Sequence, residues 1–235
     1  MRPLVQHVVT GVVGFLIVVV YGLTTAVSPG VTAWGQRVLV SINNGHSAAL
    51  DGFARAFSVG FSPPYAFTIV VVLVVVIALV GRRVGDALFV GVSIGVVYAC
   101  TYVVKEIVRR PRPSILPYPI PGLPPETDPS YPSGHVAIVS SLVLILVLVA
   151  VRAWQRWVIA FVGAVLVVAT AFARLYAGVH YPDDVAASVV YVGTVGPLIY
   201  ACLGWLEARW SLVDHTNQWM AKHWKYFAVE RSPDL

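Results

Sequence analysis

Residues 132–184 begin with Pro132-Ser133-Gly134-His135 and end with Arg174-Leu175-Tyr176-Ala177-Gly178-Val179-His180-Tyr181-Pro182-Asp183-Asp184, and the order of the membrane helices is built around these two clusters. Both of these clusters adjoin long apolar runs, so they place polar and titratable groups at membrane level. Such groups indicate a functional site by default. A third cluster, from Lys105 to Pro113, adds several cations at the end of another apolar run. Cations beside two histidines, a serine and a carboxylate favour phosphate chemistry.

The composition is that of an integral membrane protein. The chain has 235 residues, of which 58% are hydrophobic and 11% charged, and a soluble domain carries more charge than this. The length suits one domain over residues 1–235, with the three clusters as a core over 105–184. The formal charge of +5 does not indicate nucleic acid binding, because the cations lie in short segments between apolar runs. Cys100 and Cys202 fall inside such runs and are expected to be small buried side chains.

Six apolar runs come near the roughly 20 residues that a helix needs to cross a bilayer. Many of their residues are valines, but in lipid a helix satisfies its own backbone hydrogen bonds whereas an isolated strand does not. The sequence therefore predicts an all-α membrane bundle of six transmembrane helices. The runs are Val8 to Val27, Tyr65 to Val80, Ala87 to Val104, Val136 to Val151, Val158 to Ala173 and Val185 to Leu203.

The segments between and after these runs have their own patterns. Val31 to Pro64 predicts one or two amphipathic helices at the interface, and residues 206–235 predict a further interfacial helix. The first run is longer than a signal-peptide core and predicts an uncleaved anchor. Nine prolines crowd residues 111–132, so the connection from Arg112 to Tyr131, called the proline-rich loop below, is expected to be extended and to roof the site.

The distribution of Lys and Arg predicts the orientation. Outside the three clusters, most of these residues lie on the side of the N-terminus, which is the pattern of cytoplasmic segments. Six spans put both termini on that side. They also bring the three clusters together on the opposite face, so the chain is expected to be a multi-pass cell-membrane protein with an extracytoplasmic site.

Each cluster offers groups that suit phosphate. Guanidinium groups bind phosphate oxygens in pairs and lysine supplies a point charge, so Lys105, Arg112 and Arg174 are the candidate holders. Ser133 and Gly134 precede the fourth apolar run, where free backbone N–H groups would point at an anion. Taken alone, the tripeptide Pro132-Ser133-Gly134 indicates only a turn with a helix cap.

His180 and Asp184 lie four residues apart, so the carboxylate can hold one imidazole nitrogen while the other presents a lone pair. This arrangement predicts a histidine nucleophile with an orienting carboxylate, although Asp184 could simply cap a helix. His135 is then the candidate general acid. A metal site built from both histidines with Asp183 and Asp184 is the chemical rival. The nearby cations would repel a divalent ion, so we expect neither metal nor cofactor.

The three clusters together resemble the signature of the type 2 phosphatidic acid phosphatase superfamily. The matching residues are Lys105 with Arg112-Pro113, then Pro132 to His135, and then Arg174 with His180 and Asp184. The family pattern has a serine immediately before the arginine, and this chain has Ala173 there. The family spacing also selects Asp184 over Asp183 as the orienting carboxylate.

The resemblance implies a six-helix membrane fold and a metal-free reaction through a phosphohistidine at His180, with His135 protonating the leaving group. The implied substrates are lipid phosphates such as undecaprenyl diphosphate, phosphatidylglycerophosphate, phosphatidic acid and lipid A phosphates. Arg109 and Arg110 could contact a second phosphate, and this slightly favours a polyprenyl diphosphate as the substrate. The alternatives are a lipid phosphotransferase and a non-catalytic lipid carrier. The expected partners are the substrate and the bilayer, without an obligate protein.

Overall fold

The computed structural model describes residues 2–81, 84–113, 116–123 and 125–211, and within them it is all-helical. The helices are α1 (Arg2–Val27), α2 (Pro29–Asn43), α3 (Ala48–Gly60), α4 (Pro63–Gly81), α5 (Val84–Ala99), α6 (Thr101–Val108), α7 (Gly134–Val149), α8 (Ala153–Tyr176) and α9 (Pro182–Ser211). Prolines stand in the first turn of α2, α4 and α9, where their missing N–H groups cost no helical hydrogen bond.

Within these residues, five stretches are long and apolar enough to cross a membrane. They are Val5–Val27, Pro63–Val80, Val84–Val108, Ala153–Tyr176 and Pro182–Leu206, and the apolar helix Gly134–Val149 is shorter. The chain is therefore a multi-pass membrane protein, and each predicted apolar run coincides with one of these helices. The third run is divided at Cys100, where α5 gives way to α6.

The short helix α7 is the centre of the bundle. It contacts α5, α8 and α9, and every residue from His135 to Leu142 is buried, as is Ile145. Its 16 residues correspond to roughly 24 Å at 1.5 Å per residue. Because its neighbours surround it, α7 places its N-terminal residues deep within the bundle.

Small residues bring α1 close to α9. A Cβ atom on Gly11 would lie 2.6 Å from Leu198 Cδ2, and one on Gly14 would overlap the side chain of Thr194. Such contacts let two helix backbones approach in a membrane, where packing drives association. The tight seam with α1 thus fixes the middle of α9, the helix whose first turn carries Asp183 and Asp184.

Two helices, α2 and α3, occupy the segment in which amphipathic helices are predicted. Both contact α8, and α3 also contacts α4. Helix α9 continues without a break to Ser211, so the first residues of the interfacial helix predicted from Leu206 belong to α9. The remainder of that prediction, residues 212–235, lies outside the described residues, as do Arg82 and Arg83.

The proline-rich loop has no helix or strand in its described residues. Asn43, buried at the end of α2, holds the loop through both backbone groups of Tyr118. Its Nδ2 donates to Tyr118 O at 2.8 Å, and its Oδ1 accepts from Tyr118 N at 2.8 Å. Arg55 on α3 donates to Pro121 O at 2.6 Å. These contacts fix the loop across the end of the bundle.

Candidate active site

The structure brings the three sequence clusters together at one end of the bundle. Lys105 lies near the end of α6, His135 at the start of α7, Arg174 near the end of α8, and Asp184 in the first turn of α9. His180 lies in the turn between α8 and α9. Because these are the ends of neighbouring helices, residues up to 79 positions apart in sequence share one buried region.

His180 is almost wholly buried, with 1% of its surface exposed. Its Nε2 lies 3.2 Å from Arg112 Nη1. Arginine has no acceptor, so in this contact Nε2 accepts and presents its lone pair to the cations. The proton of the neutral ring is then on Nδ1, which lies 3.5 Å from Asp184 Oδ2. This separation is longer than a well-formed hydrogen bond, and Nδ1 has no hydrogen-bond partner among the described residues.

Asp184 is itself held firmly. Its Oδ2 accepts from the backbone N–H of Tyr181 at 2.8 Å, and its Oδ1 accepts from Arg110 Nη1 at 2.7 Å. Asp183 Oδ2 pairs with the same Arg110 nitrogen at 2.5 Å. The carboxylate beside His180 is therefore Asp184, fixed in position by Arg110.

Arg110 departs from the expectation that it could meet a second phosphate. It is 1% exposed and packs over the Tyr181 ring at 4.3 Å, in addition to its two ion pairs. Both carboxylates and the ring already engage its guanidinium group, so that expectation is wrong for Arg110. Arg109 points away, with a 73% exposed side chain that pairs with Glu106 at 2.7 Å.

Burial lowers the pKa of the His180 imidazole well below its ordinary value, and the positive charges of Arg112, Arg174 and Lys105 lower it further. Both effects disfavour a second proton on the ring. His180 is therefore neutral at neutral pH, which is the form that carries a nucleophilic lone pair.

This depressed pKa makes folding stability depend on pH. Above about pH 6.5 the imidazole is neutral in both states, whereas below it the unfolded chain takes up a proton that the folded chain resists, so acid favours unfolding. We expect the unfolding midpoint of the detergent-solubilised protein to fall more steeply below pH 6.5 than that of His180→Gln. The free energy of unfolding should then fall more steeply with decreasing pH in the wild type, by up to about 1.4 kcal/mol per pH unit. Parallel curves would show that His180 titrates normally in the folded protein.

His135 is held by α3. Its Nε2 lies 2.9 Å from the backbone oxygen of Ser58, and because a carbonyl only accepts, Nε2 must carry a proton. Ser58 was not a predicted site residue, and nothing in the sequence near it indicates this contact. The hydroxyl of Ser58 is buried without a hydrogen-bond partner among the described residues.

The three cations Lys105, Arg112 and Arg174, called the cation cluster below, converge on two acidic residues of the proline-rich loop. Asp128 pairs with Lys105 at 2.8 Å and with Arg112 at 2.6 Å. Glu126 pairs with Arg112 at 3.0 Å and with Arg174. The sequence analysis did not single out these acids. They are the only acidic residues of the sequence between Glu106 and Asp183. This isolation, next to so many cations, could have indicated a role for them in the site.

The predicted phosphate-binding turn lies beside the cation cluster. Ser133 donates its backbone N–H to Asp184 O at 3.2 Å, and its buried hydroxyl has no hydrogen-bond partner within the described part of the chain. A Cβ atom on Gly134 would lie 3.9 Å from Lys105 Cε. Ser133 and Gly134 therefore adjoin the cations, with one hydroxyl available to a ligand.

Ala173 stands where the family pattern has a serine. It is fully buried in an apolar cluster with Ala54, Ile120 and Tyr176. At this position the chain therefore has apolar packing in place of a hydroxyl.

A cavity of about 400 Å³ leads into the site between the α3–α4 corner and the proline-rich loop. His135 and Arg174 line its inner part, Glu126 and Asp128 line the loop side, and Tyr65 of α4 lies on its wall. Tyr65 is 55% exposed on a membrane-spanning helix. The cavity therefore connects His135 and Arg174 with an exposed part of the apolar helix α4.

Known proteins are similar to this chain in sequence or in fold. The undecaprenyl-diphosphatase of Sulfolobus acidocaldarius is 38% identical over 87 residues, a match that spans 37% of this chain and only 32% of that protein. A transmembrane PAP2 type phosphatidylglycerolphosphate phosphatase from Bacillus subtilis has a similar structure, with a TM-score of 0.69 at 16% identity, covering 89% of this chain and 98% of that chain.

The structure of Aquifex aeolicus LpxE is similar over 71% of this chain and 92% of that chain, with a TM-score of 0.52 and 23% identity. At these identities both structural likenesses concern the fold alone. The sequence model of the PAP2 superfamily matches residues 86–208, just over half of the chain, and that match contains all three clusters. The clusters, their convergence and this match together show that the chain belongs to the PAP2 superfamily.

Proposed function

We propose that the protein is a lipid phosphate phosphatase that hydrolyses the phosphate or diphosphate headgroup of a membrane lipid through a phosphohistidine at His180. The observation that carries this proposal is the position of His180 Nε2, which lies 3.2 Å from Arg112 Nη1 at the edge of the cation cluster. A phosphate held by these cations would place its phosphorus atom beside a neutral imidazole lone pair. Nucleophile, charge stabilisation and an orienting carboxylate then occupy one buried site.

The proposed reaction has two displacements. In the first, His180 Nε2 attacks the terminal phosphorus, and the bond from that phosphorus to the leaving oxygen breaks with its electron pair passing to that oxygen. The leaving oxygen is that of the lipid alcohol in a monophosphate and the bridging oxygen in a diphosphate. His135 protonates the departing oxygen, and Asp184 stabilises the positive charge that develops on the His180 ring. In the second, His135 takes a proton from water and so regains the one it gave up, the oxygen of that water attacks the phosphohistidine, and the P–N bond breaks with its electron pair returning to Nε2. Inorganic phosphate leaves with the oxygen of that water.

The cations perform the electrostatic part of this reaction. Lys105, Arg112 and Arg174 are 2%, 12% and 1% exposed in their side chains, and buried donors act strongly on charge that develops in a transition state. Three fixed cations already supply what a divalent ion would offer to phosphate oxygens, and they would oppose its binding. We therefore propose a reaction that needs no metal or cofactor.

We propose six membrane spans, with α7 as the short inner one, both termini in the cytoplasm and the site on the extracytoplasmic face of a single domain. The excess of Lys and Arg in the other segments supports this orientation. Intact cells should then hydrolyse a water-soluble short-chain substrate that does not cross the membrane. Hydrolysis only after lysis of the cells would show that the site faces the cytoplasm, which contradicts the proposed orientation.

The substrate class is tested by measuring phosphate release from a polyprenyl diphosphate, phosphatidylglycerophosphate and phosphatidic acid. The purified protein is assayed in detergent with EDTA. We expect release that EDTA does not abolish. The fastest lipid identifies the substrate, and the match to the Sulfolobus relative favours the diphosphate.

Other outcomes of this assay separate the alternatives. Loss of activity in EDTA would contradict the metal-free reaction. Transfer of labelled phosphate to an added alcohol without free phosphate would indicate a phosphotransferase. Absence of release and of transfer with every lipid would favour a non-catalytic carrier.

A further inference from the structure

Two carboxylates already occupy the cation cluster in the manner of a phosphate. Asp128 directs Oδ2 to Lys105 and Oδ1 to Arg112. Glu126 directs Oε2 to Arg112 and Oε1 to Arg174. Each carboxylate thus bridges two cations with its two oxygens, as two oxygens of one phosphate would. Both acids lie in the proline-rich loop, Arg112 begins that loop, and only Lys105 and Arg174 lie on helices, α6 and α8. The contacts between the acids and the cations can therefore open without unfolding a helix.

Both carboxylates are ionised at neutral pH. Burial raises the pKa of Asp128, but its hydrogen bond and charge interaction with Lys105, together with Arg112, outweigh burial and hold the pKa at about 2. Burial also raises the pKa of Glu126, and Arg174 and Arg112 more than offset it, so the net shift is downward. Two negative charges therefore neutralise two of the three positive charges of the cation cluster in the substrate-free protein.

A membrane phosphatase faces a particular problem of selectivity. Most phospholipid headgroups are phosphodiesters with one negative charge, and they surround the protein in great excess over any phosphomonoester or diphosphate substrate. An uncovered set of three buried cations would bind these abundant anions. A ligand that must first displace two carboxylates has to compensate for two charges, and a terminal phosphate can do so whereas a phosphodiester cannot.

We infer that Glu126 and Asp128 are specificity-determining residues, which compete with ligands for the cation cluster and so favour a doubly charged terminal phosphate over a singly charged phosphodiester. This inference rests on the proposed function, because it concerns how that same site chooses its headgroup. The carboxylates have no part in bond breaking. They determine how much negative charge a headgroup must carry to displace them from the cation cluster.

Binding, rather than turnover, gives the clearest test. Methyl phosphate carries close to two negative charges at pH 8, since its second pKa is about 6, and dimethyl phosphate carries one and differs by a single methyl group. Their affinities are measured from the ligand-dependent rise in the unfolding midpoint of the detergent-solubilised chain, at constant ionic strength. The proteins compared are the wild type, Glu126→Gln and Asp128→Asn.

The wild type should bind methyl phosphate much more tightly than dimethyl phosphate. In each variant that preference should fall about ten-fold, the scale of one hydrogen bond to a charged group, chiefly because dimethyl phosphate binds better. Glu106→Gln makes the same chemical change at a carboxylate that pairs with the exposed Arg109, and it should keep the wild-type preference. The midpoint without ligand shows whether each variant is folded, and either variant alone suffices for the test.

An unchanged preference in the folded variants would overturn the inference. So would weaker binding of both ligands, which would mean that the acids hold the cations in position instead of competing for them. Equal affinity of the wild type for the two ligands would overturn it as well. Because binding is read without turnover, a chain that releases no phosphate would refute the proposed function and still give a result here.

Discussion

Replacing His180 with glutamine should lower the rate of phosphate release by about 10⁴-fold or more, the scale seen when a catalytic nucleophile is removed. Glutamine keeps a polar group of similar size but has no nucleophilic nitrogen lone pair. The remaining cations can still bind and polarise phosphate, so any residual rate reflects their contribution alone. Release is measured with the fastest lipid at saturating concentration.

Two controls make this result specific to His180. The variant His46→Gln changes a 43% exposed histidine that pairs with Asp51 outside the site, and it should release phosphate at the wild-type rate. Methyl phosphate should still raise the unfolding midpoint of His180→Gln, which shows that the cation cluster is intact. A His180→Gln protein that is folded and retains more than about one tenth of the activity would contradict a nucleophilic role.

The second large effect concerns Arg110. Replacing it with methionine should lower the free energy of unfolding by about 3–5 kcal/mol, because removing one partner of a buried ion pair leaves charge without compensation. Here one guanidinium group serves two carboxylates, those of Asp183 and Asp184, which are 5% and 0% exposed. Phosphate release should also fall, because Asp184 loses the contact that holds it beside His180.

The neighbouring arginine provides the matched comparison. Arg109→Met removes an equal charge from a surface pair with Glu106, and exposed pairs contribute little to stability. Unfolding midpoints and phosphate release are measured for both variants under the same conditions. Similar midpoints for Arg110→Met and Arg109→Met would show that the buried network does not stabilise the fold.

The sequence was sufficient to predict the helices and the convergence of the three clusters. Each cluster lies at the end of an apolar run, so the alternation of membrane spans alone brings Lys105, His135 and His180 to one face. The helical assignment followed from the backbone's need for hydrogen bonds in lipid. The break at Cys100 could not be predicted in this way, because the hydropathy of the third run continues through it.

The ion-pair partners of the charged residues could not be predicted from local sequence patterns, because these partners lie far away in the sequence. Arg109 and Arg110 are adjacent and chemically identical, yet Arg110 is buried against carboxylates 73 and 74 residues away whereas Arg109 pairs with Glu106 three residues earlier. The left-handed backbone of Arg109, with φ of 49°, ends α6 and turns the chain at this point. The contacts of Glu126 and Asp128 were missed for the same reason, since a proline-rich sequence does not reveal which surface it covers.

Trapping of a phosphorylated protein tests the central claim, that His180 is the nucleophile, most directly. The wild type and His180→Gln are mixed with substrate labelled in its terminal phosphate, quenched in alkaline detergent, and examined for label bound to protein, whose position is then found by mass spectrometry. We predict label on His180 of the wild type that is stable to base and lost in acid, as a P–N bond requires, and none on the variant. Label on another residue, or equal labelling of His180→Gln, would contradict the account.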